Sequence, residues 1–122
     1  MTYTISKNHS SLFLTTALSP YFLTILPPEV TLNIEIKGKQ CVPALTKILQ
    51  KTAAKIVISS FDWNQLIELR SHHKSIPIAI LTDGKEPWSI AEQLNAIAVN
   101  PSIKQVDSKF VSQFSRSVSF AL

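Results

Sequence analysis

Thr31-Leu32-Asn33-Ile34-Glu35-Ile36-Lys37-Gly38 is the stretch on which the fold turns. Apolar and polar side chains alternate along it. As a β-strand it puts Leu32, Ile34 and Ile36 on one face and Asn33, Glu35 and Lys37 on the other. Pro27-Pro28 stops whatever precedes, because proline lacks the amide donor that a continuing helix or central strand needs. The strand sets a carboxylate and an ammonium side by side on one face. In a buried position such groups are costly unless paired, hydrogen-bonded or bound to a metal. On a solvated face they form an ordinary ion pair. This segment by itself leaves both readings open.

Similar strands recur downstream, at Lys55–Phe61, Ile76–Asp83, Ala96–Asn100 and Ser117–Leu122. They begin at intervals of about 20 to 24 residues, a span that fits a strand, a loop and a short helix. Helical patterns fill the gaps. From Val42 to Ala53, residues Val42, Leu45, Ile48 and Leu49 fall on one side, with Thr46 and Lys47 on the other. Asp62 is a natural N-cap for a helix from Trp63 to Arg70, and Asp107 for one from Ser108 to Ser115. Trp88 to Ala96 is a short amphipathic segment with Ile90, Ala91 and Leu94 inward. Strands alternating with helices predict an α/β fold with a parallel sheet and crossover helices.

In this order the residues resemble a known family. Leu32-Asn33-Ile34-Glu35-Ile36-Lys37 resembles the Glu-x-Lys strand of the glycerophosphodiester phosphodiesterases. Val57-Ile58-Ser59-Ser60-Phe61-Asp62 with Leu66 and Leu69-Arg70 is similar to that family's next strand and helix. Ile78-Ala79-Ile80-Leu81, Ala98-Val99-Asn100-Pro101 and Val106-Asp107 with Phe110-Val111 continue the pattern. The resemblance runs from about Leu26 to Leu122. It implies a (β/α)8 barrel with its site at the carboxyl ends of the strands, and metal-dependent hydrolysis of glycerophosphodiesters to glycerol 3-phosphate and an alcohol. Glu35 falls on the family's last metal ligand and Lys37 on the lysine that meets the phosphate. The implied cofactor is a hard divalent ion, Mg²⁺ or Ca²⁺. Ser59, Phe61, Ala79, Leu81, Ala98 and Asn100 would face the barrel lumen beside Glu35.

A closed barrel of this kind takes about 250 residues, whereas this chain has 122. The expectation is therefore a partial barrel over residues 27–122, about strands four to eight, all parallel. Residues 1–26 are unassigned, with a remnant helix ahead of the Glu35 strand preferred. The family's His-Arg-Gly, Glu-x-Asp and His-Asp motifs find no match: His9 is followed by Ser10, and His72-His73 by Lys74. The chain alone is expected to be inactive, with a companion chain or a second copy completing the barrel. Two other readings stay open: a non-catalytic remnant or pseudoenzyme, and a small doubly wound domain of the flavodoxin or receiver type. In a receiver, Asp83 would end the third predicted strand.

Composition narrows the field. Hydrophobic residues make up 45% and charged residues 16%, a mix that builds a packed core and excludes a disordered chain. The net charge is +4, but the cations are scattered without runs or interleaved aromatics, which argues against nucleic-acid binding. Cys41 is the one cysteine, so no internal disulfide or cysteine-based zinc cluster forms; it reads as structural, and a cytoplasmic location fits. His72 and His73 are adjacent, hence splayed on a helix, and suit its carboxyl end rather than a metal. Trp63 and Trp88 read as packing residues and Asp83-Gly84-Lys85 as a turn. Leu12–Leu18 and Tyr21–Leu26 have a slight resemblance to a signal peptide, but threonines, Ser19 and Pro20 break them, and they are too broken to span a membrane.

Overall fold

The computed structural model describes residues 2–8, 11–15, 31–53, 55–102, 106–114 and 119–120. Their strands are β1 (Thr2–Asn8), β2 (Ser11–Thr15), β3 (Thr31–Gly38), β4 (Lys55–Ser60), β5 (Ile78–Thr82), β6 (Ala98–Pro101) and β7 (Ser119–Phe120). Their helices are α1 (Val42–Leu49), α2 (Trp63–His72), α3 (Trp88–Gln93) and α4 (Ser108–Phe114). The strands join in one sheet, in the order β2-β1-β3-β4-β5-β6-β7.

From β3 onward each strand pairs in parallel with the next. Every crossover therefore steps in the same direction, and right-handed crossovers of that kind lay their helices on one face of the sheet. The burial pattern agrees. Leu32, Ile34 and Ile36 of β3 are buried, and register carries their row through Ile56 and Ile58 to Ile78, then from Ile80 to Val99. These side chains form one core with Val42 and Leu45 of α1, Leu66 and Leu69 of α2, Ile90 of α3 and Phe110 of α4. A doubly wound sheet would reverse direction at a switch point and carry helices on both faces. The uniform step from β3 to β7 is instead that of a partial (β/α)8 barrel, the fold class expected from the sequence.

Two expectations need correction. The sheet is not wholly parallel: β1 lies parallel to β3, but β2 runs antiparallel to β1. Residues 2–8 and 11–15 are strands, not a remnant helix. Thr2, Tyr3, Thr4 and Ile5 are β-branched or aromatic, types that suit a pleated strand and lose rotamer freedom in a helix. The rest of the predicted helix, residues 16–26, lies outside the described residues, as does His9.

Helix ends follow local chemistry. Pro43 sits in the first turn of α1, where a missing amide costs nothing. The Asp62 carboxylate caps α2 by accepting from the Gln65 amide at 3.4 Å. The Glu86 carboxylate accepts from the Trp88 amide at 2.6 Å as α3 begins. That helix stops at Gln93, short of the predicted Ala96. Asn95 turns left-handed (φ 50°), and the Ala96 amide reaches back to the Ala91 carbonyl at 2.9 Å, a C-terminal lock that asparagine tolerates.

Candidate functional site

The carboxyl ends of β3 and β4 frame a cleft of about 560 Å³ lined by Glu35, Ile36, Lys37, Gly38, Lys39, Phe61 and Asp62. Glu35 and Lys37 both lie on the sheet face turned away from the helices. The Lys37 ammonium stands 3.8 Å from a Glu35 carboxylate oxygen. Glu35 is 18% exposed and Lys37 61% exposed. With its Lys37 end open to water and the charges 3.8 Å apart, the pair contributes about 1 kcal/mol or less. Lys37 can therefore turn from Glu35 to an incoming anion at little cost.

Register ties the face together. Ser59 lies opposite Glu35, Ala79 opposite Ser59, and Ala98 opposite Ala79. Leu81 lies opposite Asn100. Ser59 is buried, and its hydroxyl donates to the Asn33 carboxamide oxygen at 3.0 Å. Phe61 is 55% exposed, the most open large hydrophobic residue among those described. It also lines a second cleft of about 160 Å³, with Trp63, Leu81, Thr82, Asp83 and Lys85. There the Trp63 indole donates to the Leu81 carbonyl at 2.8 Å, and the Lys85 ammonium lies 5.7 Å from the Trp63 ring centre. Asp83-Gly84-Lys85 forms the turn beneath it. Gly84 is left-handed (φ 88°) and the Thr82 hydroxyl donates to the Lys85 carbonyl.

The structure brings Glu35, Lys37 and Phe61 to one cleft and leaves Asn100 three strands away. His72 and His73 lie elsewhere. α2 runs from the carboxyl edge toward the amino edge, and His73 lines a largely apolar cleft of about 510 Å³ with Thr31, Lys55, Pro77 and Ile97, at the amino ends of the strands. In barrels of this class that end serves stability and the other end chemistry.

No group of three or more His, Cys, Asp or Glu that could hold a metal occurs among the described residues. Glu35 and Asp62 are the carboxylates that line the cleft; Asp62 already accepts from the Gln65 amide and carboxamide, and Mg²⁺ or Ca²⁺ needs several oxygen ligands. The described residues do not fit such an ion.

One buried polar residue escaped the sequence reading. Gln65 is 7% exposed. Its carboxamide donates to the Gly38 carbonyl at 2.6 Å and to the Asp62 carboxylate at 2.9 Å, and accepts from the Cys41 amide at 2.9 Å. The signal was present: Asp62-Trp63-Asn64-Gln65 has the spacing of a capping box. The usual return bond to the N-cap amide is not needed, because the Ser60 hydroxyl accepts from the Asp62 amide at 2.9 Å. Cys41 is fully buried, with its sulfur directed at the Lys37 carbonyl.

No protein-family model matches the sequence, and none of the curated proteins does. The fold does find a counterpart. A protein of Silicibacter pomeroyi DSS-3, assigned as a glycerophosphoryl diester phosphodiesterase, superimposes with a TM-score of 0.61 at 16% identity. The match covers 74% of this chain and 38% of that one, so this chain spans well under half of its neighbour's length. At that identity the likeness is one of fold. No helix among the described residues is long and apolar enough to cross a membrane.

Proposed function

We propose that this chain is the phosphate-binding part of a glycerophosphodiester phosphodiesterase-like barrel, taking glycerophosphodiesters as ligands. The observation that supports this best is the Glu35–Lys37 pair in the cleft at the carboxyl end of β3, where barrel enzymes hold their substrates. The shared fold with the Silicibacter protein is consistent with it. Lys37 binds a phosphoryl oxygen as a compact charge. Glu35 holds the ammonium on the cleft side when no anion is present. Phe61 walls the cleft beside the alcohol.

In this reading the cofactor of the complete enzyme is Mg²⁺ or Ca²⁺, with Glu35 as one ligand of several. The remaining ligands and the acid and base come from outside the described residues, supplied by a companion chain or by a second copy. The chain alone binds and does not turn over. Its role by itself is then that of a non-catalytic binding module, a second reading favoured by His73 standing at the amino ends of the strands, away from this cleft.

The test is a pair of measurements on the purified chain. Titration with glycerol 3-phosphate, followed by amide shifts, is expected to move Lys37 and its neighbours and to lose that response in Lys37→Ala. Glycerol 3-phosphate release from a glycerophosphodiester is expected to be nil, with Mg²⁺, with Ca²⁺ or with chelator. Absence of binding refutes the phosphate site; release that Glu35→Gln abolishes refutes the claim of inactivity.

A further inference from the structure

We infer that Gln65 is a positioning residue for this cleft: its carboxamide clamps the turn after β3 and so sets where Lys37 and Lys39 meet an anion. The inference rests on the phosphate-binding reading proposed above. Gly38 and Gln40 both take left-handed backbone angles, φ 84° and 57°. For Gln40, which has a Cβ, that conformation is strained and persists only where the surroundings fix it.

Gln65 bridges the two ends of the turn, and the Cys41 thiol adds a weaker bond to the Lys37 carbonyl at 3.3 Å. Gln65 takes the Gly38 carbonyl at the start of the turn and the Cys41 amide at its end. Its second N–H goes to Asp62, which orients the carboxamide. The Ser60 hydroxyl adds a bond to the Ile36 carbonyl just upstream, at 3.0 Å. Lys37 and Lys39 flank Gly38, and both line the cleft. Packing does not demand an amide here. The neighbouring positions of α2 that face the core, Leu66 and Leu69, are apolar and fully buried. A carboxamide at Gln65 is explained by the turn it holds, and the turn carries the cations.

The experiment measures glycerol 3-phosphate affinity of the full chain by amide shifts, in conditions where each variant is folded. Lys37→Ala is expected to weaken binding about fivefold, the scale of an exposed charge contact. Gln65→Met, which keeps both lysines, is expected to weaken it roughly threefold, from the same scale. In a Lys37→Ala/Lys39→Ala background, Gln65→Met is expected to have no further effect, which a purely structural role would not produce. If Lys37→Ala binds like the parent, the phosphate reading fails and this inference with it. If Lys37→Ala weakens binding and Gln65→Met does not, the inference alone is overturned. Should Gln65→Met fail to fold, the parent chain decides. The Gln65 carboxamide protons and the Cys41 amide are expected to shift with the same apparent Kd as Lys37, and shifts confined to the lysines overturn the inference.

Discussion

Val57 and Ile58 are adjacent in β4 and point to opposite faces of the sheet, so truncating each tests the architecture directly. Ile58 is fully buried against the helices. Ile58→Ala removes three carbons, worth about 2.4 kcal/mol in transfer at roughly 0.8 kcal/mol each. A rigid site between strands and helices adds a cavity term that brings the loss to about 3–4 kcal/mol. Val57 is only half-buried, on the face away from the helices. Val57→Ala removes two carbons from a surface that water can refill, a loss of about 1 kcal/mol. Thermal unfolding of both variants separates these values. A chain of this size loses about 4 °C of Tm per kcal/mol, so the expected drops are about 12 °C or more and about 4 °C. Equal, large drops would refute the reasoning. They would mean that the sheet is covered on both faces, as in a doubly wound domain.

Three further outcomes are expected. Arg70 donates to the carbonyls of Leu94, His73 and Lys74 and ties the ends of α2 and α3 together; burial lowers its pKa, yet it stays charged. Arg70→Lys keeps the charge but loses the fork, and urea unfolding is expected to show a loss of about 1–2 kcal/mol. Cys41 is buried, so a thiol reagent in excess is expected to react only as fast as the chain opens, with full reaction in denaturant. Asp107 caps α4 through the Phe110 amide at 2.7 Å; Asp107→Ala is expected to cost about 1 kcal/mol, read by circular dichroism melting.

The alternation of Leu32, Ile34 and Ile36 with Asn33, Glu35 and Lys37 told both the strand and its two faces, because side-chain direction in a strand is fixed by a period of two. The order of strands and helices after it told the crossover pattern. The hairpin of β1 and β2 was missed because its partner is distant. Thr2-Tyr3-Thr4-Ile5 looks like polar terminus until β3 is set beside it in parallel, and pairing between positions 31 residues apart, as Thr2 with Asn33, leaves no local mark. The early end of α3 was legible in principle, since Asn95 is one of the few residues that enter the left-handed region readily. Gln65 was hidden by its type. Glutamine on a helix reads as surface, and only the Asp62 cap three residues earlier hints that it turns inward.

The same geometry explains what the cleft lacks. α2 begins at the carboxyl edge, beside Asp62, and its ten residues carry the chain about 15 Å toward the amino edge. His72 and His73 end that helix and so stand at the opposite end of the sheet from Lys37. Cleaving a phosphodiester needs a proton for the leaving alkoxide and a base for the attacking oxygen, from groups that titrate near neutrality. The described carboxyl edge thus offers charge to hold a phosphate and an aromatic wall to seat what is attached to it, but no imidazole to move a proton. In the proposed reading this edge holds the phosphate, and the groups that move protons reach it from outside the described residues, on the face of Glu35 and Lys37.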